Sequence, residues 1–392
     1  MSSPRTWQEA RAAVYAAGAA AARPPQQVAL TLADGLTLAG PVAPLTHLPA
    51  FPTSSVDGWA VRGPQPWRLV GSVLAGSVAP ELTDDGTAME IATGAMVPAG
   101  TAAIVRTEDS TRDGDLVKGT ARPVREWREP GEEARAGDEL LPAGAVVTPG
   151  VIGLAASCGL DTLTVRPAPT VATVVFGDEL LTSGPPGAGR VRDALGPQVP
   201  AWLRRLGATA LPPAGPISDT LPAHLAGIRA ALDAGADVVC TTGGTMNGPV
   251  DHLHPALAEL GATYVVNTVA VRPGYPMLVA ELPGGRFVAG LPGNPQSAVV
   301  ALVSLVVPLL AGLAGRTEPM EAPVTLGADI PGRGDFTHLA LVRVDPADGR
   351  AYPVDHAGSA MLRGLAQASG FAVIGPGATG LAGADVPMVA LP

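Results

Sequence analysis

Three short polar segments each follow an apolar segment that has the composition of a buried β-strand. They are residues 176–180 (FGDEL), 241–248 (TTGGTMNG) and 291–295 (LPGNP). Ligands of open parallel α/β sheets bind at the carboxyl ends of the strands, where such loops lie. The three segments together therefore predict one ligand site at the edge of a sheet.

The second segment carries the most varied chemistry. Gly243 and Gly244 would let the backbone approach a ligand, and the amides that open the next helix could hold an anion. Three threonine hydroxyls add donors, and Asp251 could hold a cation or a polar group. The alternative is an ordinary strand-to-helix turn with an aspartate on the helix dipole, and this loop alone leaves both open.

The other two segments have equally simple alternatives. Residues 291–295 place two prolines around Gly293 and Asn294, which suits a ligand loop or a rigid helix start. Asp178 and Glu179 could bind a cation or be solvated surface carboxylates. Three such loops after successive strands favour the site over three unrelated turns.

The elements that would position these loops lie between residues 167 and 317. Apolar strands alternate there with amphipathic helices, and this order predicts a parallel α/β sheet. Residues 1–166 instead show short apolar runs and glycine turns, with helices over 5–22 and from Pro149, and a hairpin over 110–119. After Gly315 short strands return, as in a small β-barrel.

Composition excludes several classes. The chain has 392 residues, 47% of them apolar and 15% charged, which a disordered chain would not have. Its 49 glycines and 41 prolines follow no period, which excludes collagen. The net charge is −10 and Lys118 is the one lysine among 25 basic residues. General nucleic-acid binding is therefore not expected, and anions would be held by arginines, backbone amides or bound cations.

The patterns favour a reduced, cytoplasmic protein without a membrane span. Cys158 and Cys240 lie in apolar contexts and are expected to be buried. The alanine-rich N-terminus predicts an exposed helix that ends before Pro24, not a signal peptide. Residues 296–315 are long enough to span a membrane but follow a turn and lack flanking basic clusters, so a buried helix is expected. His252 and His254 would lie on different helix faces, which argues against a shared metal.

The three loops and further motifs resemble the MoeA/gephyrin E-domain family of molybdopterin molybdenumtransferases, over nearly the whole chain. The motifs are SSVDGWAVR (54–62), IATGAMVPAGTAAIVRTED (91–109), GEEARAGDELLPAG (131–144), FGDEL (176–180), TTGGTMNGPVD (241–251), RPGYP (272–276), LPGNPQSA (291–298), GRGDF (332–336) and HAGSAMLRGLAQASG (356–370).

The resemblance implies a multidomain α/β plus β fold. The central domain would be a doubly wound α/β molybdopterin-binding unit over residues 167–317. An elongated N-terminal domain would cover residues 1–45 and 135–166 and be interrupted by a β-rich domain over 46–134. A C-terminal β-barrel would cover residues 318–392. The family is homodimeric, and N-terminal residues of the partner subunit complete its active-site cleft.

The family inserts molybdenum from molybdate into adenylylated molybdopterin and releases AMP, with a divalent cation such as Mg²⁺. The resemblance carries four catalytic carboxylates onto this chain, namely Asp57, Glu179, Asp219 and Asp251. Glu179 and Asp251 would be the metal ligands. The substrate-binding residues would be Thr93, Glu133, Gly243, Gly244, Gly248, Arg272, Pro292, Pro295 and Arg333.

Departures from the family pattern cluster at the site. Phe176 replaces a threonine, Ala194 and Leu195 replace polar residues, and Thr268 and Tyr275 stand where the family places lysines. Arg272 keeps its charge, and Glu133 replaces the usual aspartate. Loss of cations from a phosphate-transfer site weakens catalysis. The alternative function is therefore a non-catalytic or altered-specificity MoeA-like protein that binds a pterin or a nucleotide-linked ligand.

Overall fold

The structure, a computed structural model, describes residues 4–246 and 251–392. These residues divide into two compact units. The first unit combines residues up to 26, residues 35–39 and the described residues from 165 on; the second combines residues 27–34 and 40–164.

The chain begins with helix α1 (Trp7–Ala20) of the first unit. Thr6 and Glu9 form a capping box, in which each side chain accepts a hydrogen bond from the other residue's backbone N–H. The helix predicted over 5–22 is confirmed, but the expectation that it is exposed is wrong. One face, which includes Trp7, Ala10 and Val14, is buried in the core. Strands β1 (Gln26–Ala29) and β2 (Thr37–Leu38) follow.

The second unit is β-rich, as predicted. It contains β3 (Thr53–Ser54), β4 (Gly58–Arg62), β5 (Trp67–Val73), β6 (Thr87–Ile91), β7 (Ala103–Arg106), β8 (Ser110–Asp113), β9 (Leu116–Gly119), β10 (Trp127–Arg128) and α2 (Pro149–Ser157). Six of the strands form one sheet in the order β7-β4-β6-β5-β9-β8. The predicted hairpin over 110–119 is confirmed as β8–β9, which turns at Gly114 with φ 59°. The helix expected from Pro149 is α2.

The α/β part of the first unit follows. Strand β11 (Thr162–Arg166) precedes it, begins in the second unit and pairs with β1 and β2. The elements of the α/β part are β12 (Thr170–Phe176), β13 (Leu180–Leu181), β14 (Val191–Arg192), α3 (Leu195–Arg205), β15 (Thr209–Ala210), β16 (Ala214–Ile217), α4 (Leu221–Asp233), β17 (Val238–Thr242), α5 (Leu253–Glu259), β18 (Thr263–Asn267), β19 (Val271–Arg272), β20 (Leu278–Leu282), β21 (Arg286–Leu291), α6 (Pro295–Ala301), a π-helical segment (Leu302–Val306) and α7 (Val307–Leu313).

Seven of these strands form the central sheet in the order β15-β12-β17-β21-β20-β18, with β16 also on β12. The strands β15, β16, β12, β17 and β21 are parallel, as the alternation predicts. Strand β20 is the exception to the parallel sheet that the sequence predicts, because it runs antiparallel to both of its neighbours, β18 and β21. The turn of only three residues between β20 and β21 explains this, since parallel neighbours need a long crossover.

Helices cover both faces of this sheet, so the fold is doubly wound. One core contains Val199 of α3, Val14 of α1 and the helices after Pro295, packed on Val238 and Cys240. The other contains Ile228 of α4 and Leu257 of α5, packed on Val174 and Val239. Successive residues of β17 therefore enter opposite cores, as strand geometry requires.

The apolar run after Pro295 is a core helix. Pro295–Leu313 is long and apolar enough to cross a membrane, with a mean hydropathy of 2.1, but 94% of that stretch is buried inside the protein. Helix α1 packs on it closely. A Cβ built on Gly18 would lie 2.4 Å from the Leu309 carbonyl oxygen, and one on Gly312 would lie 2.4 Å from that of Tyr15. The buried helix expected here is confirmed.

The C-terminal strands are β22 (Ala322–Thr325), β23 (Thr337–Val344), β24 (Ala351–Pro353), β25 (Gly370–Ile374) and β26 (Asp385–Ala390). They form a sheet in the order β19-β23-β25-β26-β22, with β24 also on β23. The short strands predicted after Gly315 are confirmed as β22, β23, β25 and β26, and β24 was not predicted. Closure into a barrel and the four domain boundaries stay predictions.

Candidate functional site

The three polar loops meet at one edge of the central sheet. Strands β12, β17 and β21 are parallel neighbours, and their last residues lie in register, with Val175 opposite Thr242 and Thr242 opposite Leu291. The loops after them therefore leave the sheet side by side. The Gly243 N–H donates to the Leu291 carbonyl at 2.9 Å, which joins the second loop to the start of the third.

The loops line a cavity of about 810 Å³, called here the first cavity. Such a volume suits a ligand the size of a cofactor. Its wall contains seven of the residues named from the sequence, namely Phe176, Glu179, Gly243, Gly244, Asp251, Pro292 and Pro295. Ala194 and Leu195, two of the departures from the family pattern, also belong to it. The predicted convergence of the three loops is confirmed.

The glycines of the second loop have backbone conformations that other residues rarely adopt. Gly243 has φ 84° and Gly244 has φ 66°. A Cβ on Gly244 would lie 3.5 Å from the His224 ring and 3.6 Å from Leu253. These contacts are ordinary van der Waals distances, so the positions favour glycine because of their positive φ and not because of close packing. Gly248 lies outside the described residues.

Phe176 is held in place by a histidine that the sequence did not single out. The Phe176 and His224 rings stack with their centroids 3.6 Å apart and their planes 8° apart. His224 is fully buried on α4, and burial lowers its pKa, although Asp219 opposes this. Its Nε2 lies 3.5 Å from the Asp219 carboxylate. Phe176 therefore presents a rigid apolar wall to the first cavity.

Asp219 is not part of that wall. Its carboxylate accepts from the Asp178 N–H at 3.3 Å, and the Asp178 carboxylate accepts from the Asp219 N–H at 3.4 Å. These reciprocal bonds connect the loop after β12 to the start of α4. Asp219 thus lies behind the cavity and positions the loop that carries Glu179.

A second cavity, also of about 810 Å³, shares Pro276, Pro292 and Asn294 with the first. It contains the exposed cations Arg272 and Arg333. The Arg272 guanidinium lies 4.5 Å from the centroid of the Phe336 ring and 5.3 Å from that of Tyr275. The two arginines predicted to contact ligand are therefore brought to one cavity, next to the first.

Tyr275 lies in the wall of the second cavity, where its ring packs edge-on against Phe336. Thr268, the other position of a family lysine, lines neither of these two cavities. Its N–H donates to Met277, and its φ is 68°, which is unusual for a β-branched residue. Of the two positions at which the family pattern has a lysine, only position 275 lines one of these two cavities.

Three predicted site residues belong to the second unit. Asp57 is exposed, and its carboxylate accepts hydrogen bonds from the Thr93 N–H at 2.6 Å and the Thr93 hydroxyl at 2.9 Å. These bonds, the backbone one first, lower the pKa of Asp57. Glu133 is exposed, and its backbone N–H donates to the Leu48 carbonyl. The pairing of Asp57 with Thr93 brings two of these residues together.

Two further residues were missed by sequence reasoning besides His224. Phe336 contacts Arg272 across the second cavity. Gln296 is 1% exposed, lines the same cavity, and its side-chain oxygen has no partner among the described residues. The sequence could have indicated Gln296, because a polar glutamine stands at the start of a long apolar run. The aromatic contact of Phe336 depends on chain folding and leaves no such signal.

The carboxylates of the first cavity fit a magnesium ion completed by ligand oxygens. Mg²⁺ is usually held by one or two carboxylates together with water and substrate phosphates. Glu179 and Asp251 both line the first cavity. Within residues 4–246 and 251–392, no group of three or more His, Cys, Asp and Glu residues is arranged to hold a metal. Any metal held by these two carboxylates would therefore need further ligand atoms from substrate or water.

Both cysteines are buried, as expected. Burial raises the pKa of Cys158, with a smaller contribution from Glu133, and raises that of Cys240 to about 12. A thiol with a raised pKa is a poor nucleophile at neutral pH. The chemistry of the site therefore rests on carboxylates, arginines and backbone groups.

These features define an α/β protein with β-rich parts and two adjoining cavities at one end of its central sheet. Three family descriptions match successive parts of the chain: the MoeA N-terminal region (domain I and II) over residues 5–159, a probable molybdopterin binding domain over 172–312, and the MoeA C-terminal region (domain IV) over 323–391. The chain belongs to the MoeA family of molybdopterin molybdenumtransferases.

Curated relatives agree with this assignment. Molybdopterin molybdenumtransferase of Bacillus subtilis is 32% identical over 354 residues, which are 85% of this chain and 81% of that protein. Molybdopterin molybdenumtransferase 2 of Mycobacterium tuberculosis is 33% identical over 371 residues, covering 88% and 90%.

Solved structures agree on the fold. Two crystal structures of molybdopterin biosynthesis MoeA protein from Pyrococcus horikoshii align with TM-scores of 0.80 and 0.79, at 23% and 20% identity. The alignments cover 100% and 99% of this chain and 100% of each of those chains.

Proposed function

We propose that the protein acts in molybdenum cofactor biosynthesis as a molybdenumtransferase, which inserts molybdenum from molybdate into adenylylated molybdopterin and releases AMP. One observation carries the proposal. The first cavity combines two carboxylates, Glu179 and Asp251, with a glycine loop whose backbone can approach a ligand closely. Cleavage of a phosphoanhydride needs this combination of charge neutralisation and fixed phosphates.

Different residues of the first cavity would bind different parts of the ligand. Gly243 and Gly244 expose backbone without side chains, and Thr242 and Thr245 bring hydroxyls to the same wall, so this loop would bind the phosphates. Pro292 and Pro295 form a rigid wall for the pterin. Phe176 and Leu195 exclude water, which strengthens the electrostatic contacts inside.

Glu179 and Asp251 would hold Mg²⁺. The bound ion supplies Lewis-acid stabilisation of the charge on the phosphate oxygens. Asp219 acts on the same site indirectly, because it holds the Asp178–Glu179 segment through the reciprocal hydrogen bonds. It is thus a positioning residue and not a contact of the reacting phosphate.

The second cavity would receive the anionic substrate molybdate. Arg272 and Arg333 provide its positive charge, and the shared wall of Pro276, Pro292 and Asn294 places it next to the first cavity. Two neighbouring cavities would thus receive the two substrates.

Residues of the second unit would complete the site. By the family pattern, Asp57, Thr93 and Glu133 of one chain act in the cleft of the partner subunit. We therefore also propose that the protein is a cytoplasmic homodimer that binds a pterin substrate and neither nucleic acid nor membrane.

A second candidate function is binding without turnover. It is favoured by Tyr275, which gives the second cavity a hydroxyl where the family pattern has a cation. Calorimetry with molybdopterin and with adenylylated molybdopterin separates the candidates. Tight binding of both without AMP release would support the second candidate.

The direct test mixes purified protein with adenylylated molybdopterin, molybdate and Mg²⁺ and measures AMP. Release of AMP that requires both molybdate and Mg²⁺ is expected. AMP at the level of a protein-free control would contradict the proposed transferase activity.

A further inference from the structure

His338 is a titratable residue in the wall of the second cavity, and the proposed function leaves it without a role. It lies on β23 and is paired directly with Arg272 of the parallel strand β19. Directly paired residues present their side chains to the same face of a sheet, and the preceding pair, Val271 and Thr337, is buried on the other face. The Arg272 guanidinium lies against Phe336 in the cavity wall. His338 and Arg272 therefore face the second cavity side by side.

One ring nitrogen of His338 is fixed and the other is open. Nδ1 lies 2.9 Å from the Pro331 carbonyl oxygen. A carbonyl oxygen only accepts hydrogen bonds, so Nδ1 carries the proton of the neutral ring and Nε2 is the nitrogen that can gain one. Nε2 has no hydrogen-bond partner among the residues that the structure describes, but unlike the two nitrogens of His224 it is not shut off from solvent. A ligand of the cavity can therefore reach it.

The charged groups around His338 in this wall are positive. Arg272 lies beside it on β19, Arg333 precedes β23, and its partner on β25 is the apolar Ile374. Tyr275 is the other titratable residue of the wall. No aspartate or glutamate of the described residues lines the second cavity, so the protein itself supplies no negative charge that would stabilise a protonated His338 there.

The empty cavity therefore favours a neutral His338. Burial lowers its pKa from the ordinary value of 6.5, the hydrogen bond to Pro331 opposes this, and the charge of Arg333 lowers the pKa further. A bound oxyanion reverses the balance, because it brings negative charge to the wall and can accept a hydrogen bond from a protonated Nε2. The proton comes from solvent, so the cavity gains an anion and a proton together.

We propose that His338 makes oxyanion binding in the second cavity dependent on pH, because Nε2 takes up a proton as the anion binds and donates a hydrogen bond to it. The inference rests on the proposed function in one respect, namely that this cavity receives the anionic substrate. Since the anion and the proton stabilise each other's binding, the linkage is reciprocal. The affinity for the anion rises as the pH falls through the pKa of His338 in the complex, and it levels off below the pKa of His338 in the free protein.

Calorimetry with molybdate tests the proposal without turnover. Molybdate stays a dianion between pH 6 and pH 8, the range in which histidine titrates, so any proton that is taken up belongs to the protein. We expect molybdate to bind about tenfold more tightly at pH 6 than at pH 8, which corresponds to a rise of about one to two units in the pKa of one histidine. Titrations in two buffers of different ionisation enthalpy should show proton uptake on binding.

Two variants at position 338 separate the charge of the ring from its packing. His338→Gln keeps a hydrogen-bonding side chain that cannot gain a proton, so molybdate affinity should lose its dependence on pH. His338→Arg carries a permanent cation and should bind molybdate tightly at both pH values. His47→Gln, at an exposed histidine of the second unit, is the control and should keep the tenfold difference. Thermal melting checks that the three variants are folded.

The pKa of His338 gives a second readout in the unchanged protein. The chain has six histidines, and the resonance that is missing from either variant at position 338 identifies this ring in the NMR spectrum. Its pKa should lie below 6.5 in the free protein. Addition of molybdate should raise this pKa by about one unit or more. A His338 pKa that molybdate leaves unchanged would overturn the proposal.

Failure of this inference can be told apart from failure of the proposed transferase activity. Molybdate affinity that is equal at the two pH values, or a difference that persists in His338→Gln, overturns the inference whether or not AMP is released. Absence of molybdate binding at both pH values overturns it as well. Binding that depends on pH through His338, without AMP release, supports the inference and contradicts the transferase activity.

Discussion

Tyr275 is the single residue at which this chain departs most directly from its family's cavity chemistry. It lies in the wall of the second cavity, and its ring and that of Phe336 flank the Arg272 guanidinium. A lysine would bring a mobile point charge to this position, whereas tyrosine brings a hydroxyl and a ring that restrains the neighbouring arginine. The positive charge of the cavity thus rests on Arg272 and Arg333.

Tyr275→Lys should therefore improve the reaction with anionic substrates. We expect kcat/KM for AMP release to rise about tenfold, mainly through a lower KM for molybdate, because an added cation stabilises bound anions. Tyr275→Met serves as the control, since it removes the ring without adding charge. An equal change in both variants would show that the ring, and not the missing charge, sets the activity.

Single residues also show where sequence reasoning ends. The pairs Gly243–Gly244 and Glu179–Asp251 could be predicted to lie together from their residue types and their places after strands, and all four line the first cavity. His224 could not, since it lies within an amphipathic helix and its role follows from stacking on Phe176.

At the scale of elements, the contact between α1 and α7 shows how small residues set the packing of the first unit. Gly18 and Gly312 let the two helix backbones approach closely. The Trp7 indole also donates to the Ser304 hydroxyl at 2.9 Å, and the Arg11 guanidinium donates to the Val303 carbonyl at 2.9 Å. Helix α1 thus covers the apolar helix that carries the third loop.

Gly312→Ala should destabilise the first unit strongly. The new Cβ would lie 2.4 Å from the Tyr15 carbonyl oxygen and 2.7 Å from the Ala19 nitrogen, and both are backbone atoms. We expect a loss of about 1–3 kcal/mol, measured by calorimetric unfolding. Gly153→Ala in α2 is the matched control, because nothing lies within 4 Å of its new Cβ. It should be neutral or stabilise by up to about 1 kcal/mol; equal losses in both would contradict the packing account.

An ion pair between the partly exposed Arg106 and the buried Glu126 joins β7 of the second unit to the segment before β10. The Arg106 guanidinium donates to both oxygens of Glu126 at 2.8 and 2.9 Å, and these bonds lower the pKa of Glu126. The ordinary pKa of a glutamate carboxyl group is 4.5. A carboxyl group whose pKa is lowered by folding stabilises the protein at pH values above that ordinary pKa. That stability is lost as pH falls from this value through the folded-state pKa.

Glu126→Gln should therefore remove part of the acid sensitivity of the second unit. We expect the variant to be less stable by about 1.5–3 kcal/mol at pH 7 and to lose less stability than the unchanged protein between pH 5 and pH 3. Calorimetric melting at several pH values measures both. Asp115→Asn, an exposed residue of the β8–β9 turn, is the control. Parallel pH profiles of Glu126→Gln and the unchanged protein would contradict this account.

At the scale of the whole molecule, the order of strands and helices was the most predictable property. The alternation of apolar strands with helices predicted the α/β region. Short apolar runs separated by turn residues predicted the flanking β-rich regions and the places of most strands. The reversed strand β20 was missed because strand direction depends on the length of the connection, and the turn that follows β20 has only three residues. The burial of α1 was missed because alanine favours helix whether a face is exposed or packed.

The proposed homodimer makes a prediction that two inactive chains can test. The mass in solution should be twice the chain mass of 39.2 kDa. Glu133→Gln affects the second unit, and Asp251→Asn affects the first. If each cleft combines units of two chains, a mixture of the variants contains heterodimers with one intact site and recovers about a quarter of full activity.

No recovery from two variants that are folded and individually inactive would place each site within one chain. A mass of 39.2 kDa at micromolar concentration would contradict the homodimer itself.

The most direct test of the central claim compares AMP release by the unchanged protein and by a Glu179→Gln/Asp251→Asn variant. Adenylylated molybdopterin and molybdate are supplied over a range of Mg²⁺ concentrations. The account predicts Mg²⁺-dependent AMP release by the unchanged protein and a loss of about 10²-fold or more in the variant. Glu259→Gln, on the exposed surface of α5, should have full activity. AMP release that is absent from the unchanged protein, or equal in the double variant, would contradict the account.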